Sequence, residues 1–269
     1  MSAAKKTLGE LREEYVQNVY SIIDAANQQN IKIRAMGGVG FMIHCPGQKR
    51  LLQTLKRCPS DLDFMALGKQ EKKIDGLFRE LGYKEKGGQG ITMEIWSDRR
   101  IFEHPDRAHV DVFFDELDFC HKIDLRKRLN LDSPTLSLAD LILGKLQIVE
   151  INEKDLQDLI VVNMEHRLSE KDEEETINAR YLAETLAQDW GFYHTAVLNL
   201  GKAKKLAMRY QVSLPGCEGL QAACDQIDQL LNRMESTPKT LKWKARSMIG
   251  TKVKWYRDPG EEYREVNAG

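Results

Sequence analysis

Apolar residues at helical spacing (Leu8, Leu11, Tyr15, Val19, Ile22 and Ile23) predict a helix over 6–29. The pattern then shortens. An apolar run over 31–36 predicts a strand, followed by a Gly37-Gly38 turn and a short helix. A basic stretch from Pro46 to Pro59 reads as a loop or short helix, and a second strand is entered through Asp61 and Asp63. A helix over 70–81 and a weak strand over 84–90 precede two strands, 99–104 and 109–115, turning at Pro105-Asp106. Such a sheet is mixed, with helices mainly on one face. After Asp132-Ser133-Pro134 the pattern is helical: 137–151, 152–166, 176–187, 189–211 and 216–235, with an acidic linker at 169–175. The expected class is α/β (α+β), a mixed-sheet domain over 1–132 followed by a mostly α-helical domain over 133–269.

Side chains two apart on a strand share a side. Asp61 and Asp63 therefore direct two carboxylates into one volume, while Leu62 and Phe64 face the other way. Like charges held together call for a cation or a proton, and hard oxygen ligands favour Mg²⁺. Asp111 lies at the centre of an apolar strand (HVDVFFD), where burial alone would not place a charge. Gly37 and Gly38, between a strand and a helix, are where bare backbone N–H groups can approach a phosphate. The blander alternative makes Asp61 and Asp63 turn and cap residues. A dinucleotide-binding G-x-G-x-x-G is excluded, because a fingerprint starting at Gly38 and Gly40 reaches Ile43.

Together, Gly37-Gly38, Asp61-x-Asp63 and the later Asp111 resemble the nucleotidyltransferase superfamily with the polymerase beta-like fold, nearest to aminoglycoside nucleotidyltransferases. The resemblance implies that Asp61, Asp63 and Asp111 hold two Mg²⁺ ions (Mn²⁺ as the alternative) and orient an acceptor hydroxyl. Gly37, Gly38 and Arg57 would bind the nucleotide. Two positions depart from the pattern: Val39 stands where many members have Ser, and Pro59 where an Arg-x-Thr-x-Asp run would place Thr. The segment SLADLILGKLQIVEINEKDLQDL (137–159) resembles the helices of abortive-infection toxin nucleotidyltransferases. That match implies catalytic roles for Lys145 and Asp158, with Asp155 in the first position of the acidic run, and contact of Lys145 with nucleotide. On pattern alone, a lysine on that apolar stripe would snorkel to water.

Composition narrows the rest. With 269 residues, 42% hydrophobic and 30% charged, the chain fits a water-soluble globular protein of one large or two ordinary domains. The net charge of −1 excludes a global nucleic-acid or membrane signature. No apolar run approaches a membrane span, the N-terminus lacks an apolar signal core, and five scattered cysteines fit reduced thiols in a cytosol. The six histidines show no metal-ligand spacing. Cys217 and Cys224 read as buried thiols on one helix face, and the Trp190-Phe192-Tyr193 cluster as core. Residues 238–257 carry seven basic residues and no acidic one, interleaved with Trp243, Trp255 and Tyr256. That segment either tracks RNA or docks on the chain itself.

The resemblance thus implies a metal-dependent enzyme, ATP-binding or using another NTP. It would transfer a nucleoside monophosphate to a hydroxyl of a small molecule, an RNA 3′ end (tRNA included) or a protein, and release pyrophosphate. The toxin branch would add an antitoxin partner. The competing expectation is an inert nucleotide-binding regulatory module.

Overall fold

The computed structural model describes residues 6–86 and 99–258. The chain divides into two compact units. Of the described residues, the first comprises 6–86, 99–116 and 124–136; the second comprises 117–123 and 137–258.

In the first unit, α1 (Leu8–Gln28) opens with a capping box. Thr7 accepts from the Glu10 N–H, and the Glu10 carboxylate accepts from the Thr7 N–H. A five-stranded sheet follows in the order β1-β2-β5-β4-β3, with β1 Ile33–Met36, β2 Leu62–Ala66, β3 Lys84–Glu85, β4 Arg99–Glu103 and β5 Val110–Phe114. The β2–β5 pairing is parallel; β1–β2, β4–β5 and β3–β4 are antiparallel, so the sheet is mixed as expected. The part of the weak strand beyond Lys86 lies outside the described residues.

Three helices accompany these strands: α2 (Gly37–His44), α3 (Lys49–Thr54) and α4 (Glu71–Glu80). Val19, Ile22 and Ile23 of α1 meet Leu62 and Phe64 of β2, Val110 and Val112 of β5, and Ile74, Leu77 and Phe78 of α4 in one core. Full burial of such side chains contributes about 1.5–3 kcal/mol each. This apolar face fixes the register of β2 and β5, and with it the direction of their aspartates.

The second unit is helical: α5 (Leu138–Leu146), α6 (Glu153–Glu165), α7 (Ala179–Leu186), α8 (Trp190–Ser213), α9 (Leu220–Ser236) and α10 (Leu241–Ile249). Helix α5 stops five residues before the expected Ile151. Asn199 explains the stop: its amide donates to the Leu146 carbonyl (3.1 Å) and the Ile148 carbonyl (2.7 Å), satisfying acceptors at a helix end. Cys217 precedes α9 rather than sharing its face with Cys224, because Gly216 and Gly219 both take positive φ and break the chain there. The acidic linker is flanked by two short parallel strands, Arg167–Ser169 and Thr176–Asn178, so 176–178 is strand rather than helix. Among the described residues, no helix is long and apolar enough to cross a membrane.

Candidate active site

In the first unit the site is built where β1 ends. Met36 stands opposite Asp63, and the chain turns at Gly37 (φ +64°) straight into α2. A Cβ at Gly37 would lie 2.4 Å from Asp63 Oδ2, so only glycine admits the carboxylate at that distance. A Cβ at Gly38 would lie 2.3 Å from the Arg57 guanidinium. Arg57 is placed by its neighbour: Lys56 takes the left-handed conformation (φ +52°), and the Arg57 N–H returns to the Leu52 carbonyl at 2.8 Å. Arg57 is buried, its charge held against the first turn of α2. Met36 supplies no side-chain cap to that turn. The N-terminus of α2 therefore combines a glycine pair, a guanidinium and the positive end of a helix dipole.

Asp63 and Asp111 stand in register on the parallel pair β2–β5. Asp111 is 4% exposed, and its Oδ1 is buried without a hydrogen-bond partner among the described residues. Its Oδ2 accepts from Arg99, whose guanidinium also lies over the Phe113 ring at 5.4 Å. Burial raises the Asp111 carboxyl above the ordinary range. Arg99 and His109 oppose that shift and Asp61 reinforces it. One oxygen of Asp61, one ring nitrogen of His109 and one oxygen of Asp111 all lie within 4.8 Å of one another. The His109 Nε2 to Asp61 Oδ2 distance is 3.9 Å.

This donor set was only half anticipated. The strand pattern put Asp61 and Asp63 in one volume and the resemblance added Asp111; Asp61 and Asp111 come together, whereas Asp63 is turned towards Gly37. His109 joins them although the histidines lack metal-ligand spacing. The signal for it was its position two residues before Asp111, on the same side of one strand; its carbonyl extends the ladder by accepting from Leu62 N at 3.1 Å. Arg99 carried no signal, because its contact arises only from the β4–β5 register. The residues fit a divalent cation: the buried Asp111 carboxylate, one oxygen of which has no hydrogen-bond partner among the described residues, lies with a second carboxylate and an imidazole. Carboxylates suit Mg²⁺ and Mn²⁺, while imidazole suits softer ions.

In the second unit Lys145 does not snorkel. Its Nζ is 2.6 Å from Asp155 Oδ1 and 3.2 Å from Asp158 Oδ2. All three residues are buried, Asp158 to 2% exposure. Asn152 caps α6 by accepting from Asp155 N at 3.1 Å, which orients the first carboxylate of the triad. An ammonium shared by two buried carboxylates is held in place.

No family model matches the chain, and no curated protein matches it. Among solved structures it is similar to the solution structure of the antibiotic-resistance factor ANT(2'')-Ia, at 13% identity over 53% of this chain and 79% of the other, TM-score 0.36. It is likewise similar to the crystal structure of ANT(2'')-Ia in complex with adenylyl-2''-tobramycin, at 14% identity over 53% and 84%, TM-score 0.34. Likeness this remote does not extend to activity or substrate.

Proposed function

We propose that the chain is a metal-dependent nucleotidyltransferase. The observation that carries the reading is the Asp111 carboxylate, buried with one orphaned oxygen and converging with Asp61 and His109 beside the register partner Asp63. Asp61, Asp63, Asp111 and His109 would hold the divalent cations, Mg²⁺ or Mn²⁺. When bound, such ions neutralise charge on a transferring phosphoryl group and its leaving oxygen. Gly37 and Gly38 receive the β- and γ-phosphates of an NTP on the first amides of α2, and Arg57 adds a guanidinium there. An acceptor hydroxyl attacks the α-phosphorus, the bond to the β-phosphate oxygen breaks, and pyrophosphate leaves with that electron pair. Asp111, its affinity for a proton raised by burial, takes the hydroxyl proton. Lys145 and Asp158 belong to the proposal as residues of the second unit, where Asp155 and Asp158 hold the ammonium.

A specific observation favours a second reading. Arg99 already occupies Asp111 Oδ2, supplying within the chain a cation of the kind an inert nucleotide-binding module would keep. The test is release of pyrophosphate from each α-labelled NTP, with and without Mg²⁺ or Mn²⁺, offering small-molecule, RNA and protein acceptors in parallel. Metal-dependent label transfer supports the enzyme. Nucleotide binding without release supports the inert module.

A further inference from the structure

The basic C-terminal segment is docked on its own unit. Trp255 Nε1 donates to Thr195 Oγ1 (3.1 Å) and Arg257 N donates to the Cys120 carbonyl (3.1 Å). Gly191 permits the approach, since a Cβ there would lie 2.3 Å from the Trp255 carbonyl oxygen. Thr195 also donates to the Gly191 carbonyl (3.1 Å) and meets His121 Nε2 at 2.9 Å. A hydroxyl with its one proton committed can only accept from both rings, so His121 carries its proton on Nε2.

Docking leaves a cleft of roughly 720 Å³ open between the segment and the start of α8, within the range of small-ligand sites. Trp190, Trp243, Trp255 and Tyr256 line it. So do five cations, Lys122, Lys242, Arg246, Lys254 and Arg257, against two acids, Asp118 and Asp189. The lining balance of +3 stands out in a chain of net charge −1. Asp118 is spent on Arg257 (2.9 Å) and Asp189 on capping α8. Arg246 donates to the Gly250 and Val253 carbonyls, which fix it over Trp190 at 4.9 Å without neutralising it. The indole donor of Trp243, Nε1, is buried without a partner among the described residues. Asp258 lies 3.8 Å from Lys254, and the lining still keeps a positive balance; flat rings beside it select a ligand that is both aromatic and anionic, a nucleoside phosphate. No residue of α10 is buried, and exposed Lys244 and Lys252 continue the positive charge beyond the lining. One mononucleotide cannot use those outlying charges, whereas a strand can.

We propose that this cleft binds single-stranded RNA, one base entering between the rings while flanking phosphates lie along α10 and the residues after it. The site is independent of the first unit, so binding is read without NTP or divalent metal. Its failure would leave the transfer reading untouched, and loss of transfer would leave this one untouched.

Three of the four tryptophans line the cleft, so their fluorescence reports its occupation. Titration of the whole chain with a single-stranded RNA of about twelve nucleotides should give saturable quenching. The Lys242→Glu/Lys244→Glu/Lys252→Glu variant should fold normally, since all three side chains are exposed. It should bind at least roughly tenfold more weakly at low salt, with the slope of log affinity against log salt reduced by about 2. A duplex of the same length, its bases stacked away, should bind more weakly than the single strand. Absence of saturable quenching would overturn the proposal, as would unchanged affinity of the triple variant. So would saturation by AMP alone as tightly as by RNA, which would make the cleft a mononucleotide site.

Discussion

A methyl group on Gly37 would lie 2.4 Å from the carboxylate of Asp63, so the turn into α2 and the aspartate on β2 are one fitted object. Gly37 also holds a positive φ of 64°, which side-chain-bearing residues adopt at a cost. Gly37→Ala should therefore destabilise by about 1–3 kcal/mol through strain and displacement, and should abolish transfer. Gly76→Ala, on α4 with nothing within 4 Å of the new methyl, should instead stabilise by about 0.5–1 kcal/mol. Chemical denaturation of both variants checks the pair.

Arg99 and a divalent cation compete for Asp111. Arg99→Met should lower the stability of the metal-free protein by about 1–3 kcal/mol, because it strips a charge-assisted hydrogen bond from a buried carboxylate. It should enlarge the rise in melting temperature on adding Mn²⁺ or Mg²⁺. Thermal melts with and without metal decide it; an absent metal response in both proteins would favour the inert module.

Lys145 anchors a buried triad, so its removal touches folding as well as any role towards nucleotide. Lys145→Met keeps the apolar stem but strips the ammonium from the buried carboxylates of Asp155 and Asp158, which should cost about 3–5 kcal/mol. Adding Asp158→Asn should recover part of that stability without recovering transfer. If Lys145→Met melts like the wild type and transfers at the wild-type rate, neither role stands.

His121 stacks on Phe192 at 5.0 Å, and burial depresses its imidazole to about 4. The folded state thus holds it neutral, while the unfolded chain takes up a proton near pH 6.5. Its contribution is complete above about pH 6.5 and is lost progressively towards pH 4, by at most about 3 kcal/mol. Urea unfolding between pH 7.5 and 4.5 should show this slope in the wild type and a smaller one in His121→Gln.

What the sequence made legible was local. The alternation Leu62-Asp63-Phe64 and the apolar run around Asp111 placed both aspartates on strands, because one-face burial leaves no other register. The Gly-Gly pair marked a strand-to-helix turn for the same kind of reason. Contacts set by pairing between strands were not legible. Arg99 reaches Asp111 only because β4 lies antiparallel to β5, and His109 meets Asp61 only across the β2–β5 pair. Lys145 was singled out, but its direction depends on how α6 presents Asp155 and Asp158. The docked C-terminal segment depended on Gly191 and Thr195, neither of which carries a signal of its own.

The most direct measurement is metal-dependent pyrophosphate release by the wild type and by Asp61→Asn, Asp63→Asn and Asp111→Asn, each melted first without metal. Asp115→Asn serves as the control: Asp115 sits at φ +62°, which asparagine tolerates, and its bond from Gly68 N (3.0 Å) can be kept by an amide oxygen. Burial disfavours the charged form of Asp111 while the bond from Arg99 favours it, so the amide, whose oxygen can still accept from Arg99, should be destabilised by no more than about 1–3 kcal/mol. Each of the three variants should lose release by roughly a hundredfold or more, and double variants should lose little beyond the singles, as expected of residues acting as a unit. The control should retain release. Retained release together with lowered metal-free melting would make these aspartates structural caps, and the nucleotidyltransferase reading would be wrong.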